Sequence, residues 1–351
     1  MDLSFYKGKR VLVTGHTGFK GTWLTKILVN TGAEVIGYSR CSEKEISLFE
    51  MAEIRDKIFH IQGDVRDLRH MQTVFEKYQP EIVFHLAAQP IVRDSYKEPV
   101  YTYETNVMGT VNILECVRKN PCVKSVLNVT TDKVYENKEW CWGYREDEPL
   151  DGFDPYSNSK SCSELVTHSY KNSFFENMSI AISTARAGNV IGGGDFANDR
   201  IIPDCVRAMK DGVDIKVRNP YSTRPYQHVL EPLAVYLMIA AKQYEDRSYQ
   251  GYYNVGPDDC DCMSTGELVD LFCKCWGEDA KWEKQTEENA PHEANFLRLD
   301  SSKIKSTFGW MPRWHMEECM KMTVRFSKKW LNGESVPKEM DREIEEFFGI
   351  K

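Results

Sequence analysis

The sequence predicts an α/β fold: a doubly wound parallel sheet with a smaller C-terminal lobe. Three observations predict it. Short β-branched runs alternate with helix-length segments over about the first 185 residues. Val11-Leu12-Val13 and Ile82-Val83-Phe84 are apolar on both pleat faces, as in a strand covered by helices on both sides. A glycine-rich turn follows the first of these runs directly.

In chain order, strands are expected at 10–14, 34–38, 58–61, 82–86, 125–130 and 180–184, with helices near 19–31, 67–78, 99–119 and 157–175. After Arg186 the alternation loosens. Gly192-Gly193-Gly194 opens an irregular stretch, and Asn219-Pro220 and Arg224-Pro225 mark loops. Residues 232–243 read as a helix and 252–255 as a strand returning to the sheet; 264–276, 301–308 and 315–332 read as helices, without a second sheet of any size. The division expected from this is 1–185 plus about 222–258 for the sheet domain, and about 186–221 plus 259–351 for a smaller substrate-binding lobe. The cleft between them is the default site.

Composition narrows the function. Of 351 residues 41% are hydrophobic, 12% aromatic and 28% charged, which excludes a disordered chain. Lys plus Arg is 45 against 53 Asp plus Glu, a formal charge of −8, and no long basic run occurs, so nucleic acid is a poor partner. Residues 1–10 lack the apolar core of a secretory signal, and nothing approaches the roughly 18 consecutive apolar residues of a membrane span. A cytoplasmic protein acting on a small molecule is expected. The 11 cysteines leave one unpaired at least; Cys116, Cys205 and Cys319 lie in apolar segments, as reduced thiols do. Cys260/Cys262 and Cys273/Cys275 are spaced Cys-x-Cys, not the Cys-x2-Cys of zinc sites, so no metal is expected.

The turn after the first strand reads Gly15-His16-Thr17-Gly18-Phe19-Lys20-Gly21. Glycines spaced G-x-x-G-x-x-G permit a tight turn, close backbone approach to a pyrophosphate and close helix packing, and the following helix offers its N-terminal N–H groups to phosphate. In a βαβ series this spells a Rossmann-type dinucleotide site. Asp64, beside Val65 at the end of the third strand, can accept from an adenine amino group; Asp67 suits the N-cap of the next helix better. Leu86-Ala87-Ala88 leaves room for a flat cofactor. The acidic residue that usually closes the second strand is replaced by Tyr38-Ser39-Arg40, and Arg40 suits a 2′-phosphate, so these residues leave NAD against NADP open.

Tyr156 and Lys160, four apart at a helix start, share one helical face, where the ammonium would stabilise a phenolate and make Tyr156 a base. Thr130-Thr131-Asp132-Lys133 ends the fifth strand, putting polar groups at the carboxyl edge where such sheets bind ligands.

These motifs together resemble the extended short-chain dehydrogenase/reductase family, of the nucleotide-sugar-modifying kind. The resemblance runs through Thr105–Thr110, Trp142–Glu146, the Arg186–Asp195 run, Arg218-Asn219-Pro220 and Gln227–Pro232, nearly the whole chain. It is narrowest to 4,6-dehydratases of CDP-glucose, where Lys133 follows the Asp and related dehydratases carry Glu. The resemblance implies tightly held NAD, NADP being less favoured, restored each turnover. It implies that Tyr156 takes the sugar 4-hydroxyl proton, Lys160 lowers the Tyr156 pKa, Thr131 orients the 4-oxygen, and Asp132 protonates the departing 6-hydroxyl. The base at C5 stays open: a neutral Lys133 sharing protons with Asp132 would serve, or Lys133 merely pairs with Asp132. Asn106 joins the cofactor set; Gln89, Arg93, Asn189, Arg200, Arg218, Arg224 and His292 are expected on the nucleotide sugar, with Arg224 the best phosphate candidate. A homodimer is implied through helices 99–119 and 157–175, whose Val107, Val111, Leu114, Leu165 and Val166 exceed what one sheet face needs. A 4-epimerase would share the fold, NAD and Tyr156/Lys160, but needs no acid–base pair at C5 and C6. A non-catalytic NAD(P) sensor would have no use for both Tyr156 and Lys160.

Overall fold

Seven strands pair in parallel throughout: β1 (Arg10–Thr14), β2 (Glu34–Ser39), β3 (Phe59–Gln62), β4 (Ile82–His85), β5 (Ser125–Thr131), β6 (Ala181–Ala187) and β7 (Tyr252–Val255), in the order β7-β6-β5-β4-β1-β2-β3. This computed structural model describes residues 2–40, 46–277, 280–285 and 296–349. Strand β1 is buried from Val11 to Thr14 because it has a neighbour on each side and helices on both faces. Thr14 stands opposite both Tyr38 and His85, so β1, β2 and β4 end together and their following loops diverge there. That divergence is the crevice where doubly wound sheets bind ligands.

One face is covered by α1 (Phe19–Thr31), α6 (Leu230–Glu245) and α9 (Val336–Phe348), whose Trp23, Leu24, Leu233, Leu237, Met340 and Phe347 share a core with Val11, Val13 and Phe84. The other face is covered by α2 (Leu68–Tyr78), α3 (Gly109–Lys119) and α4 (Pro155–Ser173); Phe75, Ile113 and Leu114 pack there on Leu12, Val83 and Val126. Each such buried side chain contributes roughly 1.5–3 kcal/mol. The smaller lobe packs α5 (Ile201–Asp211), α7 (Thr265–Trp276) and α8 (Met316–Leu331) around the strand pair Ile215–Val217 and Trp282–Lys284.

Three differences from the sequence reading have physical causes. Strand β6 runs to Ala187, with all its residues buried, past the expected end at 184, because β5 pairs with it that far. The helix expected over 99–119 is divided into Pro99–Tyr103, a π-helical turn Glu104–Met108 and α3, and a further short helix Val92–Lys97 precedes it. Helices α5 and α9 were not expected: α5 carries Pro203 inside its first turn, where proline is tolerated, and α9 opens on Val336-Pro337. Although α9 lies within the stretch assigned to the smaller lobe, its apolar face joins the core of the sheet domain.

Candidate active site

The glycine turn is held against the end of β4 by Thr14, whose hydroxyl accepts from the Leu86 and Ala87 N–H groups at 3.2 Å each and bonds the His85 ring at 2.8 Å. Two glycines are required by contact. Gly15 has φ +72°, and a Cβ on it would lie 2.8 Å from the Ala87 nitrogen; a Cβ on Gly21 would lie 2.1 Å from the Gly15 carbonyl oxygen. Gly18 caps α1 without a side-chain hydrogen bond, which leaves the first-turn N–H groups to an incoming acceptor. This cradle fits a dinucleotide pyrophosphate. Gly15, Thr17, Gly18, Phe19, Gly21, Arg40, Asp64, Val65, Leu86, Ala87 and Ala88 all line one cleft of ≈ 970 Å³, at the upper end of the range for small-molecule sites.

Three residues expected at this cleft are elsewhere. His16 is fully buried behind the turn, against Phe49, with its Nε2 2.7 Å from Nδ1 of His60; burial and His60 push it down to about 3. Asn106 spends its amide on the backbone of Gln89 (2.8 and 3.1 Å) and on the Ser159 hydroxyl (2.9 Å). The Gln89 side chain in turn bonds Ile91 and Thr102. These two fasten the loop after β4 to α4 and do not reach into the cleft. Asp64 lines it, but its carboxylate also holds the backbone and guanidinium of Arg66; burial opposes the charge and those bonds keep it below the usual range. Asp67 is the N-cap of α2, accepting from His70 N at 3.0 Å.

At the other end of the same cleft lie Thr131, Asp132, Lys133, Tyr156 and Lys160. Asp154 caps α4, accepting from the Ser157 N–H at 3.0 Å and its hydroxyl at 2.6 Å, with Pro155 in the first turn. That cap sets Tyr156 at the helix start and Lys160 one turn on. Below them Glu164, buried in the same helix, accepts from Thr130, Thr184 and Arg186, locking α4 onto β5 and β6. Thr131 Oγ1 donates to Asp132 Oδ1 at 2.9 Å, and Tyr156 lines the same end of the cleft.

Lys160 donates its ammonium to the Val129 carbonyl at 3.1 Å, and burial brings it down to about 8. Burial pushes Tyr156 up to about 12, against the neighbouring Thr131 hydroxyl and the Arg200 charge, which favour the phenolate. Asp132 is raised, burial outweighing Lys133, the Thr131 bond, Arg224 and Lys20. A carboxyl whose burial favours the protonated form and a phenol at the same strand end can divide proton donation and acceptance between them.

Arg93, Asn189, Arg200, Arg218 and Arg224 line the cleft from the opposite wall. Arg224 is buried and bonds the Thr223 carbonyl at 2.9 Å. Arg200 pairs with Asp195 at 3.0 Å, and Arg218 pairs with Asp199 at 2.5 Å. His292 lies outside the described residues. Sequence reasoning missed Lys20, Tyr101 and Asp195, all in the wall. Lys20 is the plainest omission: it stands inside the glycine motif itself, where burial and the nearby Arg200 bring it down to about 8. Cys260, Asp261 and His315 bring ligand-type atoms within 4.8 Å of one another, but Asp261 is engaged with the His315 ring and the Met316 N–H of α8.

The GDP-mannose 4,6-dehydratase family model matches residues 12–323. The chain belongs to this family. Among curated relatives, the CDP-glucose 4,6-dehydratase of Salmonella typhimurium is 47% identical over 353 residues, spanning 99% of this chain and 98% of that protein. Solved structures share the family's fold at lower identity. The dTDP-glucose 4,6-dehydratase of Bacillus anthracis in complex with NAD superposes with TM-score 0.79 at 22% identity, over 92% of this chain and 97% of that one. The UDP-glucose 4-epimerase of Thermotoga maritima, solved with UDP-glucose, gives 0.80 at 22%, over 92% and 99%. Fold alone therefore does not separate dehydratase from epimerase; residues at the end of β5 have to.

Proposed function

We infer that this chain is an NAD-dependent CDP-glucose 4,6-dehydratase, converting CDP-glucose to CDP-4-keto-6-deoxyglucose and water. The observation that carries it is Asp132, a buried carboxyl with a raised pKa held 2.9 Å from the Thr131 hydroxyl beside Tyr156. Reversible oxidation at C4 needs only a base; elimination of the 6-hydroxyl needs an acid as well. Bound NAD supplies the hydride acceptor for C4 and the hydride returned to C6. The glycine turn and the α1 N-terminus would hold its diphosphate, and Asp64 would serve its adenosine. Tyr156 takes the 4-hydroxyl proton. The resulting ketone acidifies C5–H, Lys133 accepts that proton, and Asp132 protonates the departing hydroxyl. The proton on Lys133 goes back to C5. Arg224 and Asn189 hold the nucleotide diphosphate.

Incubation with CDP-glucose tests this: a base-developed ultraviolet chromophore of the 4-keto sugar is expected, and CDP-galactose as the product means an epimerase instead. Tyr156→Phe should lower kcat by two to four orders of magnitude, on the order of general-base effects, with the nucleotide still bound. Solvent deuterium exchange at C5 undiminished in Lys133→Ala would remove that residue from the scheme.

The chain acts as a homodimer in this proposal. Pro99, Val100, Tyr103, Val107 and Met108 form an apolar groove with Cys162, beside Leu165, and Val100, Met108 and Leu165 are 70%, 50% and 57% exposed. Leu114 is not part of it, being buried in the sheet core. The compartment proposed is the cytoplasm, where the ten described cysteines, all free, stay reduced. No helix among the described residues is long and apolar enough to cross a membrane.

A further inference from the structure

The chemistry at the end of β5 touches only the sugar, so the base of the nucleotide has to be chosen elsewhere in the cleft. A dinucleotide reaching from Arg40 and Asp64 to Lys160 would take the sheet-domain side, and the reacting sugar belongs beside Thr131 and Tyr156. With the diphosphate on Asn189 and Arg224, the nucleoside is left to the remaining wall. That wall is the first turn of α5 and the end of the strand Ile215–Val217.

These two segments meet in a pair of opposite charges. Asp204 lies in the first turn of α5, and Arg218 directly follows the strand. Asp204 Oδ2 stands 3.6 Å from Arg218 Nη2, near enough to be adjacent and too far for a hydrogen bond. The other half of each group is fixed: Asp204 Oδ1 accepts from Arg207 on the same helix, and Arg218 Nη1 donates to Asp199 at 2.5 Å. Oδ2 and Nη2 themselves have no hydrogen-bond partner among the described residues, and both side chains are 32% exposed. Ile201 and Val217 add apolar lining to the same stretch of wall, as a flat ring requires.

A free acceptor beside a free donor suits one pyrimidine. A carboxylate only accepts and a guanidinium only donates. Cytosine presents a 4-amino donor next to the N3 acceptor; uracil and thymine present a 4-carbonyl acceptor next to an N3–H donor. We propose that Asp204 and Arg218 read the base, Asp204 Oδ2 accepting from the 4-amino group of cytosine and Arg218 Nη2 donating to N3. Asp204 is then the residue that selects CDP-linked over UDP- and dTDP-linked sugars. It selects by rejection as well as attraction, because a uracil in the same place sets oxygen against carboxylate and N–H against guanidinium.

The base contact rests on the dehydratase reading, and the test separates the two. Keto-sugar formation by the holoenzyme is measured with CDP-glucose and with UDP-glucose, for the unsubstituted chain and for Asp204→Asn, whose amide can present a donor to the uracil carbonyl. The ratio of kcat/KM for CDP-glucose over UDP-glucose should fall on the order of 10- to 100-fold in the variant, the worth of a hydrogen bond to a charged group. A loss of α5 alone would lower both substrates by the same factor. An unchanged ratio therefore overturns the base contact, and so does an unsubstituted enzyme that uses the two substrates equally. If Asp204→Asn does not fold, Asp204→Ser is read in the same way, and the ligand is altered as well. CDP and its analogue lacking the 4-amino group are titrated into the unsubstituted holoenzyme by calorimetry; the analogue should bind on the order of tenfold more weakly, and equal affinity overturns the contact. Keto sugar from neither substrate overturns the dehydratase reading itself, while the calorimetric comparison still decides the base.

Discussion

The two ends of the cleft are built on different physics. The glycine end is shaped by atoms that are absent: Gly15 and Gly21 bring three backbone segments so close that a methyl group has no space. The opposite wall is shaped by long cations, Arg200, Arg218 and Arg224, each held by a carboxylate or carbonyl. Steric sites fail abruptly and electrostatic ones by degrees. A short motif suffices to announce the first, whereas the second depends on loops meeting in space.

Gly21→Ala breaks the comparison most sharply. Its Cβ would meet the Gly15 carbonyl at 2.1 Å, a backbone contact that no rotamer relieves. The cost should exceed the roughly 1–3 kcal/mol of an ordinary overpacked site. The purified variant should yield no nucleotide on denaturation, and nucleotide recovered at full occupancy would mean the turn is more compliant than its contacts imply.

Acid should act selectively on the glycine end. His16, behind the turn, has its pKa lowered from 6.5 to about 3 by burial first and by His60 second. The unfolded chain binds that proton below 6.5 and the folded one does not. The contribution to stability is thus present above pH 6.5 and lost as pH falls toward 3. By pH 4.5 the loss is roughly 3 kcal/mol for this group. Urea midpoints at pH 7 and pH 4.5 should differ less for His16→Gln than for the unsubstituted chain. His85 and His228, also buried and lowered to about 3, keep their share in both.

At the cationic wall the effect should be graded. Arg224→Ala removes a guanidinium expected on the substrate diphosphate, and charge-assisted hydrogen bonds are worth about 1.5–3 kcal/mol. KM for CDP-glucose should rise on the order of tenfold or more, with kcat changing less, and Arg224→Lys should recover part of it by keeping the charge without the fork. A fall in kcat at constant KM would move Arg224 from binding to orientation of the sugar.

The same contrast explains what the sequence discloses. Strands β1 and β4 were legible because they are buried on both faces and read as apolar runs. Strand β6 was cut short because Arg186 looks like a surface residue; it is buried against Glu164 and Tyr135, a pairing no local pattern reveals. His16 and Asn106 sit inside motifs and were read as ligands of the cofactor, yet their side chains turn into the protein. A motif records that a residue type belongs at a position, not which way it faces. Lys20 shows the reverse error, a wall residue passed over inside a motif read for its glycines.

The smallest predicted effect probes how the chemical end is anchored. Asp154 satisfies the first-turn N–H of Ser157 and the Ser157 hydroxyl, and Tyr156 lies between the two residues. Removing an N-cap costs about 1 kcal/mol. Asp154→Ala should therefore lower stability by about that amount, while Asp154→Asn, which keeps the acceptor, should lower it less. If the cap only stabilises α4, kcat will be unchanged in both variants. If it also sets the phenol against Thr131, Asp154→Ala will lower kcat by more than its stability loss accounts for, and nucleotide occupancy will stay full because the glycine turn is untouched. Measuring midpoint, kcat and occupancy on the same preparations distinguishes a local lapse in aim at the chemical end from a collapse of the cleft as a whole.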